Sequence, residues 1–135
     1  MNRRTGREHL MKLVYEMHMN RDFSMLRYEQ FCEQYMDEEP DQYFESTART
    51  IIANRPLIDE AIERNSTNWK INRMSAVDLA ILRIAAAELL YDSDVPQVVS
   101  INEAVELAKK YGTEKSPGFI NGLLGSLVRE HAGQK

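Results

Sequence analysis

Arginines crowd the amino terminus of the chain. Arg3, Arg4 and Arg7 lie close together, and the nearest acidic residue is Glu8. Guanidinium groups grip phosphates through paired N–H donors and can stack on planar bases, so this cluster could bind a polyanion such as RNA. A solvent-exposed, frayed terminus would carry the same residues. The sequence at this point leaves both interpretations open.

The net charge is distributed unevenly along the 135 residues. The chain as a whole carries −4. Residues 1–27 hold six basic and three acidic side chains, whereas residues 28–66 hold three basic and ten acidic ones, and the remainder is balanced. A basic arm on an acidic body can bind a polyanion locally although the whole protein is acidic. The acidic body also suits a basic protein partner.

A second group of residues with binding chemistry lies in the basic segment 109–119. This segment contains two aromatic side chains, Tyr111 and Phe119, together with Lys115. An aromatic ring at a helix N-terminus can stack on a nucleobase while the first helix amides face a phosphate. Phe119 could instead pack against Tyr111 as a lid on the core, and the spacing alone favours the lid.

Nucleophiles and metal ligands are sparse. The three histidines are scattered over the terminal helices, and they form no spacing that is typical of a metal site. Cys32 is the single cysteine, so it cannot form an internal disulfide, which favours a reducing compartment such as the cytoplasm. It shares an apolar helical stripe with Tyr28, Phe31 and Tyr35, which indicates a core residue rather than a nucleophile.

Other catalytic patterns are also missing from the sequence. Residues 112–116 lack the Gly-Lys-Ser/Thr ending of a phosphate loop and the strand that precedes it. The acids Glu103 and Glu106 share one helix and are interpreted as solvent-facing. No apolar run reaches the roughly 20 residues of a membrane helix. We therefore expect no enzyme, no metal, no cofactor and no membrane segment.

Helices must position these residues, because the periodicity is helical nearly everywhere. Apolar residues recur at i, i+3 and i+4, capping residues separate the repeats, and no credible strand interrupts them. The spacing predicts capping boxes at 5–8, 75–78 and 100–103. Pro56 is expected to break or kink a helix, since proline lacks an amide hydrogen. The count is about seven helices, which makes the predicted fold class all-α.

The expected architecture is one domain with two lobes. Residues 76–91 are apolar almost all round, which predicts a central helix with neighbours on both sides. The polar stretch 65–72 around Trp69 is the expected boundary. It divides an N-terminal lobe of about 1–66 from a C-terminal lobe of about 67–135.

Several stretches resemble the NusB family. The similar segments are VDLAILRIAAAEL (77–89), DVP (94–96), INEAVELAK (101–109), YG (111–112) and FINGLL (119–124). The basic start, Arg3-Arg4 with Arg7-Glu8 and Tyr15, resembles the arginine-rich N-terminal motif of that family. The resemblance spans essentially the whole chain, and residues 20–66 are similar only in helix layout and length.

The resemblance implies an all-helical fold of two small packed bundles. It also implies a bacterial factor for transcription antitermination and ribosomal RNA processing. Such a factor pairs with a ribosomal small-subunit protein, also called NusE, and the pair binds the single-stranded boxA element of nascent ribosomal RNA. That complex joins NusA, NusG and RNA polymerase.

The resemblance also assigns roles to particular residues. The assigned RNA contacts are Arg3, Arg4, Arg7, Lys115 and Phe119. The assigned contacts with NusE are Asp78 and Tyr15. Thr5-Gly6 interrupts the basic run here, so we expect modest RNA affinity for the chain alone. An alternative is a helical protein-interaction module, or a homodimer, without direct RNA contact.

Overall fold

The computed structural model describes residues 2–67 and 69–133, and these residues contain helices and no strand. The elements in chain order are α1 (Arg3–Met19), α2 (Met25–Tyr35), α3 (Gln42–Arg64), a 3-10 turn (Ile71–Arg73), α4 (Ala76–Tyr91), α5 (Gln97–Tyr111) and α6 (Ser116–Gly133). The predicted all-α fold class is confirmed.

Pro56 lies just after a kink in the long helix α3. α3 continues through Pro56, and its backbone departs from helical geometry at Asn54, where φ is −124° and ψ is 15°. A proline ring crowds the preceding turn and removes one hydrogen bond, so the distortion falls just before the proline. The kink falls where the sequence predicts a boundary between two helices, and the described residues form six α-helices, close to the expected number of about seven.

Side-chain caps begin α1 to α4, although not always at the predicted residue. The Ser75 hydroxyl accepts a hydrogen bond from the Asp78 amide at 3.1 Å, which is the first of the two bonds of the predicted box. At α1, Asn2 is the cap, because its side-chain oxygen accepts from the Thr5 amide at 2.8 Å. The predicted box at Thr5 is therefore wrong. The box at Ser100 is also wrong, because α5 begins at Gln97 and Ser100 lies inside the helix.

α4 lies at the centre of the molecule. It packs against α1, α3, α5 and α6, and eleven consecutive residues from Leu79 to Leu89 are buried. The predicted central helix with neighbours on both sides is confirmed. One core cluster contains residues from both halves of the chain, and the division into two lobes stays a prediction. Asn68, within the expected boundary, lies outside the described residues.

Arg83 is a charged residue inside this apolar helix. Its side chain is 2 % exposed and donates two hydrogen bonds to Asp59 of α3, at 2.8 Å and 2.9 Å. The third guanidinium nitrogen lies 3.1 Å from Nδ1 of His18 in α1, and the Phe23 ring covers the group at 5.0 Å. A buried cation needs such partners to offset its lost hydration, so Arg83 ties α1 and α3 to α4.

His18 must be neutral to accept this hydrogen bond, since the Arg83 guanidinium can only donate. Burial, followed by the positive charge of Arg83, lowers the pKa of His18. Arg21 and Arg55 lower this pKa further, and Asp59 opposes them. Folding therefore disfavours the imidazolium form.

We predict that the protein loses stability as the pH falls through the ordinary histidine pKa of about 6.5. Below that pH, His18 binds a proton readily in the unfolded state but not in the folded state. Protonation therefore stabilises the unfolded state relative to the folded one. His18→Gln keeps an oxygen acceptor for Arg83 and cannot titrate. Between about pH 7.5 and about pH 5, we expect its melting temperature to fall less than that of the unchanged chain.

The matched control is His131→Gln, in the last turn of α6. It should keep the pH dependence of the unchanged chain. An identical decline for His18→Gln and the unchanged chain would contradict the prediction.

Candidate nucleic-acid and partner interface

Arg7 is buried in a polar network and is not free at the terminus. Its side chain is 4 % exposed and donates to the two oxygens of Glu88 in α4, at 2.9 Å and 2.8 Å. Glu88 also accepts from the hydroxyls of Tyr43, at 2.5 Å, and Ser100, at 2.9 Å. The network joins α1, α3, α4 and α5.

The surroundings of Glu88 favour a charged pair with Arg7. Burial alone would lower the pKa of Arg7, but the hydrogen bonds and charge of Glu88 more than offset it and raise the pKa. Burial, with the Glu88 charge, raises the pKa of Tyr43, so its hydroxyl stays a donor. Because two nitrogens of its guanidinium group donate to Glu88, Arg7 holds α1 in position. A contact of Arg7 with RNA stays a prediction.

Arg4 is on the outside of α1. Its side chain is 68 % exposed, and it donates to Glu103 of α5 at 3.1 Å and 2.7 Å. The hydrogen bond from Arg4 lowers the pKa of Glu103. The interpretation of Glu103 as a solvent-facing acid is therefore wrong. Arg3 places its guanidinium 4.6 Å from the centre of the Tyr43 ring.

Glu8 connects α1 to the end of α5. Its carboxylate accepts from Lys110 at 2.9 Å and from the Tyr111 hydroxyl. The bond from Tyr111, followed by that from Lys110, lowers the pKa of Glu8. A cavity of 340 Å³ lies here, which we call the charged groove. It is lined by Arg4, Arg7, Glu8, Glu103, Glu106, Leu107, Lys109 and Lys110.

Three predicted site residues meet in a second groove, at the starts of α4 and α6. Phe119, Lys115 and Asp78 line a cavity of 260 Å³, which we call the tryptophan groove. The other lining residues are Trp69, Arg73, Met74, Ser75, Thr113 and Ser116. The Phe119 ring is half-buried. It packs against the core and also lines the groove, so the lid and stacking interpretations describe different sides of one ring.

Gly112 allows the tight loop that carries Lys115. It is the C-cap of α5, and a Cβ at this position would lie 2.5 Å from the Ser116 hydroxyl and 2.9 Å from the Ala108 carbonyl oxygen. The same hydroxyl accepts from the Thr113 amide at 3.0 Å. The chain therefore passes too close to Ser116 for any larger residue to fit without a shift.

Tyr15 lines a third groove, of 720 Å³ and mostly apolar, which we call the apolar groove. Its lining residues are His9, Met11, Lys12, Tyr15, Glu16, Met19, Asn20, Phe31, Tyr35, Val77 and Tyr111. Tyr15, Met19 and Tyr35 are 39 %, 58 % and 52 % exposed. The assignment of Tyr35 to a core stripe is therefore wrong, whereas Phe31 is buried. Grouped exposed apolar side chains mark an interaction surface.

Sequence reasoning missed one groove residue and one buried partner. The sequence indicates Trp69 only as part of a lobe boundary, whereas its side chain is 50 % exposed and lines the tryptophan groove. Glu88 did have a signal, because a charge inside a helix that is apolar all round must find a buried partner.

The described residues contain few groups that could support a metal site, a membrane helix or nucleophilic catalysis. Within 2–67 and 69–133, no three His, Cys, Asp or Glu side chains are grouped so that they could hold a metal ion. No helix in the same ranges is both long and apolar enough to cross a membrane. Burial raises the pKa of the partly buried Cys32 thiol, which disfavours the nucleophilic thiolate.

The fold and the three grooves define a small helical protein with charged and apolar binding surfaces. The NusB family model matches residues 4–129. The chain is 46 % identical over 131 residues to transcription antitermination protein NusB of Alkaliphilus oremlandii, covering 96 % of this chain and 95 % of the relative. The NusB of Clostridium novyi is 42 % identical over 132 residues, covering 96 % and 99 %. The chain belongs to the NusB family.

Solved structures agree with this assignment. T. maritima NusB superposes with a TM-score of 0.85 at 38 % identity, covering 98 % of this chain and 94 % of that one. A complex of antitermination factors NusB and NusE with double-stranded RNA contains a chain with a TM-score of 0.83 at 23 % identity, covering 95 % and 96 %. At that lower identity, the likeness concerns the fold.

We predict that Arg7→Ala lowers the free energy of unfolding by about 3–5 kcal/mol, because Glu88 would stay buried without its cation. The matched control is Arg4→Ala, which removes a similar two-bond pair from the same helix but at the surface. We expect its melting temperature to change little. Chemical denaturation measures both variants, and an equal loss for the two would contradict the structural role of Arg7.

Proposed function

We propose that this protein acts in transcription antitermination and ribosomal RNA biogenesis, and that it binds the boxA element of nascent RNA together with NusE. The observation that carries the proposal is the placement of Arg4 in the charged groove, and of Lys115 and Phe119 in the tryptophan groove. Relatives named as antitermination proteins, and the family fold bound to NusE and RNA, support it.

Arg3 and Arg4 are the arginines that we propose for phosphate contacts. In the unbound protein Glu103 holds Arg4, and Glu8 holds Lys110. A phosphate that enters the charged groove must displace these carboxylates or share Arg4 and Lys110 with them. That exchange reduces the net gain from each contact, so the chain alone should bind RNA weakly and NusE should add both surface and positive charge.

NusE is proposed to dock on the apolar groove around Tyr15. The exposed Tyr15 and Tyr35 provide aromatic area of the kind that dominates protein interfaces. The surplus of acidic residues in 28–66 would attract a basic ribosomal protein. Asp78 follows Val77, which lines this groove, so a contact of Asp78 with NusE is compatible with its position.

The assembly would act where nascent ribosomal RNA is made, in the cytoplasm, and would join NusA, NusG and RNA polymerase. A second candidate function is a self-associating helical module without RNA contact. The exposed aromatic side chains of the apolar groove favour it, because they could equally pack against a second copy.

We predict that the double variant Arg3→Ala with Arg4→Ala weakens boxA binding in the presence of NusE. Two lost phosphate contacts should make the slope of log affinity against log salt shallower by about 1.4. The melting temperature should change little, because neither residue belongs to the Glu88 network. Fluorescence anisotropy of labelled RNA at several salt concentrations measures the effect.

Arg49→Ala is the control, since Arg49 is an exposed arginine of α3 with its own ion pair to Glu45. It should leave both the affinity and the salt slope unchanged. A scrambled RNA tests the function itself, and equal binding of boxA and scrambled RNA with NusE present would rule it out.

We predict that Tyr15→Ala weakens the binding of NusE by about tenfold or more, because an aromatic side chain at the centre of an interface carries a large share of its affinity. Tyr91→Ala is the matched control, since Tyr91 is similarly exposed and lines a different, polar cavity. Isothermal titration with NusE gives both affinities. If light scattering shows that Tyr15→Ala disrupts a homodimer while NusE binds normally, the self-associating module is the better description.

A further inference from the structure

Tyr111 connects the apolar groove to the charged groove. Its ring is partly buried against the core and lines the apolar groove, where NusE is proposed to dock. Its hydroxyl donates a hydrogen bond to the carboxylate of Glu8, which lines the charged groove. One side chain at the end of α5 therefore contacts both the surface proposed for the protein partner and a residue of the surface proposed for RNA phosphates.

Glu8 is shared between Tyr111 and Lys110. The Lys110 ammonium donates to the same carboxylate oxygen, Oε2, at 2.9 Å. It also lies 5.3 Å from the centre of the Tyr111 ring, whose face attracts a cation. The Lys110 side chain is 59 % exposed, so a phosphate in the charged groove can reach it. To bind that phosphate, Lys110 must weaken or give up its bond to Glu8.

A phosphate that takes Lys110 deprives Glu8 of its hydrogen-bonded cation. The loss of a donor from a carboxylate costs free energy, and a second donor that stays in place reduces this cost. Tyr111 is that donor, because its hydroxyl need not move when the Lys110 side chain turns toward a phosphate. The positive charge of Lys12, which lines the apolar groove, also favours ionised Glu8. Glu8 thus keeps its partners on the side of the apolar groove while Lys110 leaves.

A protein that covers the apolar groove strengthens the bond between Tyr111 and Glu8. It packs against the ring, holds it in one position and excludes water from the hydroxyl. A hydrogen bond to a charged acceptor is stronger where water is excluded, since the local dielectric constant is lower. Lys110 is exposed on the charged groove, so its own bond to Glu8 stays in water. The balance therefore shifts toward Glu8 held by Tyr111 and Lys110 free.

We propose that Tyr111 is a positioning residue for RNA binding, which acts through Glu8. When NusE covers the apolar groove, the Tyr111 hydroxyl holds the Glu8 carboxylate and so releases Lys110 to an RNA phosphate. The inference rests on the proposed function, because it needs NusE in the apolar groove and RNA in the charged groove. It assigns part of the RNA affinity that NusE adds to a contact inside this chain, beyond the surface and charge of NusE itself.

Tyr111→Phe tests the proposal, because it removes the hydroxyl and keeps the ring that faces NusE and Lys110. Fluorescence anisotropy measures the affinity of the full chain for boxA RNA, with and without saturating NusE, at several salt concentrations. With NusE, we expect the affinity to fall about fivefold. The slope of log affinity against log salt should become shallower by about 0.7, which corresponds to one phosphate contact. Without NusE, the fall should be smaller.

Two further variants isolate the hydroxyl and its target. Tyr91→Phe is the matched control, since it removes a hydroxyl from an exposed tyrosine outside the three grooves. It should leave the RNA affinity and the salt slope unchanged. Lys110→Ala tests whether the hydroxyl acts through the lysine. In that background Tyr111→Phe should cause no further loss of RNA affinity, because no ammonium remains to be released.

The outcomes separate this inference from the function on which it rests. Unchanged boxA affinity and salt slope in Tyr111→Phe would overturn the role of Tyr111 and leave the proposed function intact. A fall of equal size without NusE, or in the Lys110→Ala background, would also overturn it, since the hydroxyl would then act on the structure alone. Loss of NusE binding in Tyr111→Phe would overturn it and assign the hydroxyl to the protein partner. No boxA binding by the unchanged chain with NusE would overturn both proposals.

Discussion

The buried carboxylate of Glu88 holds four helices in one arrangement. Its donors come from Arg7 in α1, Tyr43 in α3 and Ser100 in α5, while Glu88 itself belongs to α4. A shift of any one helix would remove a donor from a charge that water cannot reach, and losing the cation alone costs about 3–5 kcal/mol. The start of α1 is therefore fixed, and with it the position of Arg4 above α5.

A second buried pair fixes α1 again, near its other end. Arg83 precedes Glu88 in the same helix by five residues and binds Asp59 of α3 and His18 of α1. Tyr15 lies between Arg7 and His18 along α1, so the helix that presents it is held on both sides. A side chain presented by a fixed helix loses less conformational freedom on binding, which leaves more of its contact energy for affinity.

Short sequence patterns predicted those elements that are determined by neighbouring residues. The apolar pattern of α4 and the Ser75 cap each follow from a few neighbouring residues, and the structure contains both. The pairing of Arg7 with Glu88 spans 81 residues, and no local pattern records it. Glu88 inside an apolar helix requires a buried cation, but several arginines could have supplied it. The tryptophan groove was hidden for the same reason, since it joins segments that are distant in sequence.

Burial divides the arginines into two kinds, and this division determines where specificity must arise. Arg7 cannot bind a phosphate without leaving Glu88 unpaired. Arg4, in contrast, can exchange Glu103 for a phosphate at a small cost in free energy. Because Arg4 and Lys110 already have carboxylate partners, each phosphate replaces a bond instead of adding one. Phosphate contacts carry no sequence information, so we expect Arg3 and Arg4 to raise the affinity for any RNA alike. Recognition of one RNA over another must then depend on contacts to bases, and the rings of Trp69 and Phe119, which line the tryptophan groove, can stack on them.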